Sequence, residues 1–301
     1  MDIRKTVARR KLADRLFAAL GIFCVLLGMV TLIALLGDLA RQGLSRIDWQ
    51  FLTSFPSRFP ARAGILSAWV GSLMVMLVTI STAVPLGVAA GVYLEEYAPK
   101  NRFTTVIEIN ISNLAGVPSI VYGLMALSLF IYLLGMGRSV LAGGLTLACL
   151  ILPIVIVATR EALRTIPANI REAAFAMGAS KWQVVSHHLL PYSAGGIATG
   201  VIIATSRAIG ETAPLITIGA LTFIAFLPPP PLQTSWPFIS FEWLNNEFTV
   251  LPIQMFNWVS RPQTEFQVNA AAAGLVLVAM TLSLNAAAIW LRYRMRKRIK
   301  W

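Results

Sequence analysis

Six long apolar runs punctuate the chain, and they constrain it more than any other feature. They fall at 16–36, 68–93, 111–134, 140–159, 195–227 and 268–291. Each has the ~20 residues a helix needs to cross a hydrocarbon core. Inside lipid a backbone must satisfy its own hydrogen bonds, so runs of this kind predict helices. The expected fold class is all-α, a polytopic membrane protein with six transmembrane helices. Composition agrees, since 57% of the 301 residues are hydrophobic and 13% charged, with mean hydropathy +0.72. A soluble domain carries about 25% charge.

The net charge is +12, from 25 Lys and Arg against 13 Asp and Glu. In a soluble chain that excess points to nucleic acid. Here the cations cluster between apolar runs, so membrane lipid is the expected environment and no nucleic acid is implied. With both termini inside, 18 of the 25 cations fall on internal segments and six on external loops, the remaining one being Arg207. The positive-inside rule then predicts cytoplasmic termini, and an even number of spans agrees. The basic start of the chain precedes a run with no small-residue cleavage site, which reads as a retained first helix. Residues 1–66 form the N-terminus, first span and an external loop. Residues 67–292 form the transmembrane core, with an internal loop at 160–191 and an external one at 228–265, and 293–301 is a basic tail. Cys24 and Cys149 both lie in apolar runs and read as packing residues, with neither disulfide nor metal spacing.

Small and helix-perturbing residues mark the spans. Gly87 and Gly91, and again Gly196 and Gly200, stand four apart, a spacing that lets neighbouring helices approach closely. Pro85, Pro118, Pro153 and Pro214 predict bends that suit either bundle packing or a pathway. The external stretch opens with four prolines, Pro228 to Pro231, which favour extended polyproline backbone. Trp236, Phe238, Phe241, Trp243, Phe248, Phe256 and Trp258 follow, and such rings suit the membrane–water boundary. The stretch is expected along the outer surface, where it can help receive an external partner.

Two constellations carry chemistry. Arg207 lies about a dozen residues into the fifth run, ~18 Å deep at ~1.5 Å per residue. A charge at that depth normally faces a bundle interior or a wet cavity. Glu211 follows one helical turn later and can offset its cost. The pair is either a structural ion pair or a transient anion site. Guanidinium offers paired donors to an oxyanion and stays charged at physiological pH, while a nearby carboxylate favours release. The second constellation runs from Pro167, suited to a helix start, to Gly178, suited to its end. Ser180 can cap a second helix through Trp182 to Leu190, with Pro191 interrupting it. Ile170, Ala173, Ala174 and Met177 then share a small, apolar face fit for a groove or a membrane surface. His187 and His188 lack further ligands and read as solvated.

Glu172-Ala173-Ala174, then Gly178, then Leu190-Pro191 resemble the EAA loop of ABC importer permeases. His188 departs from that pattern, standing where the family has a branched aliphatic residue. The resemblance implies a type I ABC importer permease fold and a coupling helix, carrying Glu172, Ala173, Ala174 and Gly178, docked on a cytoplasmic ATPase. A narrower resemblance rests on 206–215 (Ser206-Arg207-Ala208-Ile209-Gly210-Glu211-Thr212-Ala213-Pro214-Leu215), Gly116 to Gly123 and Phe248 to Gln254. These are similar to the permeases of phosphate importers, the PstA family. That implies a bacterial inner-membrane transport subunit, not an enzyme, with Arg207 and Glu211 in the substrate pathway. It further implies a sister permease, a dimeric ATPase that holds ATP and magnesium, and an external phosphate-binding protein. No G-x-x-x-x-G-K-[ST] phosphate loop occurs in this chain, so the ATPase is expected as another polypeptide. An importer of sulfate or molybdate, or a subunit that signals phosphate supply, are the alternatives.

Overall fold

The computed structural model describes residues 3–231, 238 and 240–297. Trp236, Arg298 and Lys300 lie outside the described residues, as do the side chains of Arg4, Lys5, Arg9, Arg296 and Lys297. Among the described residues the chain is overwhelmingly helical, and Ser139 and Glu247 form an isolated bridge. Five helices among the described residues are long and apolar enough to cross a membrane, and six if a bent pair counts as one span.

α1 (Ile3–Gly43) contains the first run and stands apart from the body. Its end packs closely, with Gly43 against the backbone of Ala271 and Ala272. Cys24 is exposed on it and does not pack within this chain, because no described residue covers that part of the helix. A short α2 (Trp49–Thr53) follows, started by Asp48, whose side chain accepts from the Phe51 N–H at 2.6 Å. α3 (Leu66–Val92) runs on into a wide π turn, Tyr93–Tyr97.

The centre of the body is α6 (Val140–Arg164), the most buried span. Both glycine stripes read from the sequence close on it. Gly87 meets Val155 and Gly91 meets Thr159 from one side, while Gly200 meets Ala158 and Gly196 meets Ala162 from another. Without side chains at these four points two helices seat against α6 at backbone distance, a contact lipid-exposed helices achieve mainly through small residues.

Two spans differ from the expected continuous helices. The third run is divided into α4 (Arg102–Leu114) and α5 (Ser119–Ala126), the latter prolonged by a wide turn to Leu133, and the two arms are bent by 106°. Gly116 and Pro118 explain the break: proline lacks an N–H and disfavours helical backbone in the residue before it. The carbonyl of Leu114, which Pro118 cannot reach with an N–H, accepts from the Val117 N–H at 3.1 Å and from the Tyr122 hydroxyl at 2.7 Å. The fifth run is helical only to Ile209. α8 starts earlier than expected, spans Lys181–Ile209, and is followed by a broken segment and the short α9 (Ala213–Thr217). Gly210, Pro214 and Gly219 (φ +85°) account for the loss of helix beyond it. Between α6 and α8 lies α7 (Ala168–Ala176).

The stretch expected along the outer surface is instead partly threaded into the body. Phe238, Phe241 and Phe256 are exposed, but Trp243, Phe248 and Trp258 are buried. Backbone pairing makes this possible: the Leu251 N–H donates to Ser72 Oγ at 2.9 Å, Val140 to the Asn246 carbonyl at 3.0 Å, and Leu221 to the Phe248 carbonyl at 3.1 Å. With the peptide groups satisfied, the rings fill the core. α10 (Leu251–Val259) closes this insert, and α11 (Thr264–Lys297) completes the chain.

Candidate substrate pathway and coupling face

α8 begins with a reciprocal cap. The Ser180 hydroxyl accepts from the Gln183 N–H at 3.4 Å, and the Gln183 side chain accepts from the Ser180 N–H at 2.8 Å. Pro191 does not interrupt the helix as expected. A π turn over Val184–Leu189 precedes it, and the wider ladder absorbs the missing donor and the bulk of the ring. The helix therefore continues past Gly196 and Gly200. Arg207 sits about two turns beyond Gly200, in the last turn before Gly210. Since Gly200 meets Ala158 and the helices run antiparallel, Arg207 lies abreast of the middle of α6.

Glu211 lies just past the helix end, and its Oε1 is 3.3 Å from Arg207 Nε. The Arg207 side chain is 41% exposed in the single chain and that of Glu211 17%. Only Nε is engaged; neither Nη nitrogen has a partner among the described residues. Both breaks meet here. α5 packs on α9, where a side chain at Gly123 would run into Pro214 and Thr217. Tyr122, which braces the first break, stands beside Gly123 on the same arm. Ser206 donates to Asn285 Oδ1 of α11 at 2.7 Å, which fixes the rotation of α8 next to the cation. Tyr122 and Asn285 had no place in the sequence reading. The signals were a hydroxyl inside the Gly116–Gly123 motif and an amide deep in the last apolar run.

The Glu172 region folds at the other end of the molecule. α7 follows Pro167 and ends in paired turns through Gly178 (φ +82°): the Gly178 N–H donates to the Phe175 carbonyl at 2.9 Å and Ala179 to Ala174 at 3.1 Å. This double closure uses the left-handed backbone that glycine adopts freely. The single apolar face expected of α7 is divided. Ile170 and Ala174 pack inward on Val184, Val185 and Leu189. Glu172, Ala173 and Phe175 are exposed, and Met177 is 88% exposed. His187 and His188 are also exposed.

Beneath α7 lies a dense ionic cluster. Arg171 donates to Glu96 Oε1 from Nη2 at 2.7 Å and from Nε at 3.1 Å, and to the carbonyls of Ile166 at 2.9 Å and Leu163 at 3.0 Å. Arg160 lies 2.7 Å from Glu108 and 3.5 Å from Glu95, and Arg164 reaches Glu95 at 3.0 Å. The Arg160 contacts are ion pairs whose angles fall short of hydrogen bonds.

Comparison with known proteins fits this architecture. The family model described as "Binding-protein-dependent transport system inner membrane component" matches residues 83–301. A relative from Bacillus subtilis, "Probable ABC transporter permease protein YqgI", is 33% identical over 96% of this chain and 98% of its own. "Phosphate transport system permease protein PstA" of Xylella fastidiosa is 33% identical over 94% of each. Among solved structures, a chain from "Inward facing conformations of the MetNI methionine ABC transporter" superposes with TM-score 0.56 and 16% identity, covering 75% of this chain and 93% of that one. At that identity the likeness concerns the fold, the type I importer permease fold expected from the sequence. The chain belongs to the family of binding-protein-dependent transport system inner membrane components, as a multi-pass permease.

Proposed function

We propose that this permease passes inorganic phosphate, with Arg207 at the centre of its path. One observation carries the reading: a half-exposed guanidinium, abreast of mid-span between two broken helices, has both Nη groups unengaged. Paired Nη donors match two oxygens of an oxyanion, and the charge persists at any physiological pH. Glu211 occupies Nε alone and keeps the anion from being held too firmly. Discontinuous helices near mid-membrane are the usual setting of transporter sites. The relative named as a phosphate permease, at 33% identity over 94% of this chain, favours phosphate as the oxyanion.

The positive-inside count supports cytoplasmic termini and hence a cytoplasmic α7. Its exposed Glu172, Ala173 and Met177, with Gly178 ending the helix, then form the docking face for a dimeric ATPase, which holds ATP and magnesium. A sister permease covers the open side of Arg207, and an external phosphate-binding protein delivers substrate. Moving each negative charge inward against a 100 mV inside-negative potential costs ~2.3 kcal/mol, so accumulation needs an energy source, which in this reading is ATP. Alternating closure about Arg207 then completes the cycle. The test is uptake of labelled phosphate by the assembled importer in liposomes, with sulfate and molybdate as competitors. Arg207→Gln is expected to abolish uptake with subunits still assembled. Full uptake by that variant, or competition by sulfate as effective as by phosphate, overturns the proposal.

A further inference from the structure

α7 is attached to the spans by little. It has no buried residue, and Ile170 and Ala174 supply its apolar contacts. Arg171 supplies the rest: two hydrogen bonds to Glu96 on the π turn that ends α3, and one each to the Leu163 and Ile166 carbonyls at the end of α6. Those carbonyls lie in the turn that ends α6, where Leu163 also accepts from the Ile166 N–H at 3.2 Å. The neighbouring carboxylate, Glu95, points the other way, to Arg160 and Arg164 of α6. Arg160 in turn holds Glu108 on α4, the first arm of the broken span. A cleft of about 900 Å3, lined by Glu95, Lys100, Arg102, Glu108 and Arg164, adjoins α4 and gives it room to shift.

We infer that Glu96, clasped by Arg171, is a positioning residue for energy coupling: with Glu95 beside it, it ties a displacement of α7 to α3, α6 and α4. The inference rests on the reading of α7 as the ATPase docking helix. Two donors of one guanidinium converge on a single Glu96 oxygen in a largely buried contact, and the charge-assisted pair fixes the distance that a relay of motion requires. The second arm of the bent span, α5, packs through Gly123 on Pro214 and Thr217, so the same movement reaches the segment that carries Glu211.

The test uses the assembled importer in liposomes, with ATP hydrolysis and uptake of inorganic phosphate measured on one preparation and co-purified ATPase as the measure of docking. Glu96→Gln and Arg171→Gln are each expected to raise the ATP consumed per phosphate imported by about ten-fold, within the range that residues of a coupling network command. Docking is retained, and the double variant is no worse than either single one, since both act on one contact. Wild-type stoichiometry in the single variants overturns the inference, whether total activity holds or falls, because a tie that merely steadies the fold lowers both rates together. Loss of docked ATPase in both also overturns it, making Arg171 a strut of the docking face. The underlying reading is struck by a different result: undiminished docking when Ala173→Asp burdens the exposed face of α7.

Discussion

The molecule holds two kinds of arginine site, and their contrast separates what keeps the fold together from what is left free to act. Arg160 is 6% exposed between Glu95 and Glu108, and Arg171 uses Nε and both Nη nitrogens. Arg207, in contrast, is 41% exposed and uses one nitrogen on one carboxylate. A buried cation with its partners in place is costly to disturb, because removal of one member strands the others. A half-exposed cation with unengaged donors contributes little to stability. It does have capacity for a ligand.

The contrast breaks most visibly at Arg160. Arg160→Ala leaves the partly buried Glu108 without a cation and Glu95 with Arg164 alone, and is expected to cost about 3 kcal/mol, the low end for breaking a buried pair. Thermal unfolding of the purified subunit in detergent measures this, and a midpoint equal to wild type would erase the distinction drawn here. Arg207→Gln is the counterpart. Its midpoint is expected within about 1 kcal/mol of wild type, since the guanidinium is 41% exposed and makes one contact, while uptake falls at least about a hundred-fold, equivalent to ~2.7 kcal/mol. A stability loss as large as that of Arg160→Ala would make Arg207 one more strut.

These outcomes bear on how far the sequence could be read. The glycine spacing was sufficient to foresee close helix contacts, because a missing side chain has one geometric consequence. Gly178 likewise announced the end of α7. Arg207 and Glu211 were recognisable because charge in an apolar run is costly wherever the run folds. Pro118 and Pro214 mark bends near both breaks, but that the helices stop outright at 116–118 and 210–212 was not legible, since a broken span buried in protein is as apolar as an intact one. Trp243, Phe248 and Trp258 were misplaced for a related reason: aromatic rings suit a membrane boundary and a core equally. Arg160 counted as a loop cation in the orientation argument, and its burial depended on Glu95 and Glu108, which lie far away in sequence. Pro191 broke the rule against interior proline because the π turn before it could not be inferred from residue types.

Glu211 sharpens the comparison from the other side. Glu211→Gln removes the charge that competes for Arg207. Bound phosphate is expected to be retained about ten-fold more tightly, ~1.4 kcal/mol, with a matching fall in maximal uptake. Apparent affinity and maximal rate, measured over a range of phosphate concentrations, then move in opposite senses. If both worsen together, Glu211 positions Arg207 and does not moderate it.

The smallest effect is expected at Arg164, and it tests whether distance or burial sets the worth of an ion pair. Arg160 and Arg164 approach the same oxygen, Glu95 Oε2, at 3.5 Å and 3.0 Å. Distance alone makes Arg164 the more important. Its side chain, however, is 46% exposed against 6% for Arg160. Water and salt screen the exposed pair and the long side chain loses entropy in making it, so Arg164→Gln is expected to cost within about 0.5 kcal/mol. The Glu95 carboxylate keeps Arg160 when Arg164 is gone, whereas Glu108 has only Arg160 among the described residues. Midpoints of the two variants, measured at low and high salt, decide the matter: the Arg164 effect should vanish at high salt and the Arg160 effect should persist, because ions reach the first pair and not the second.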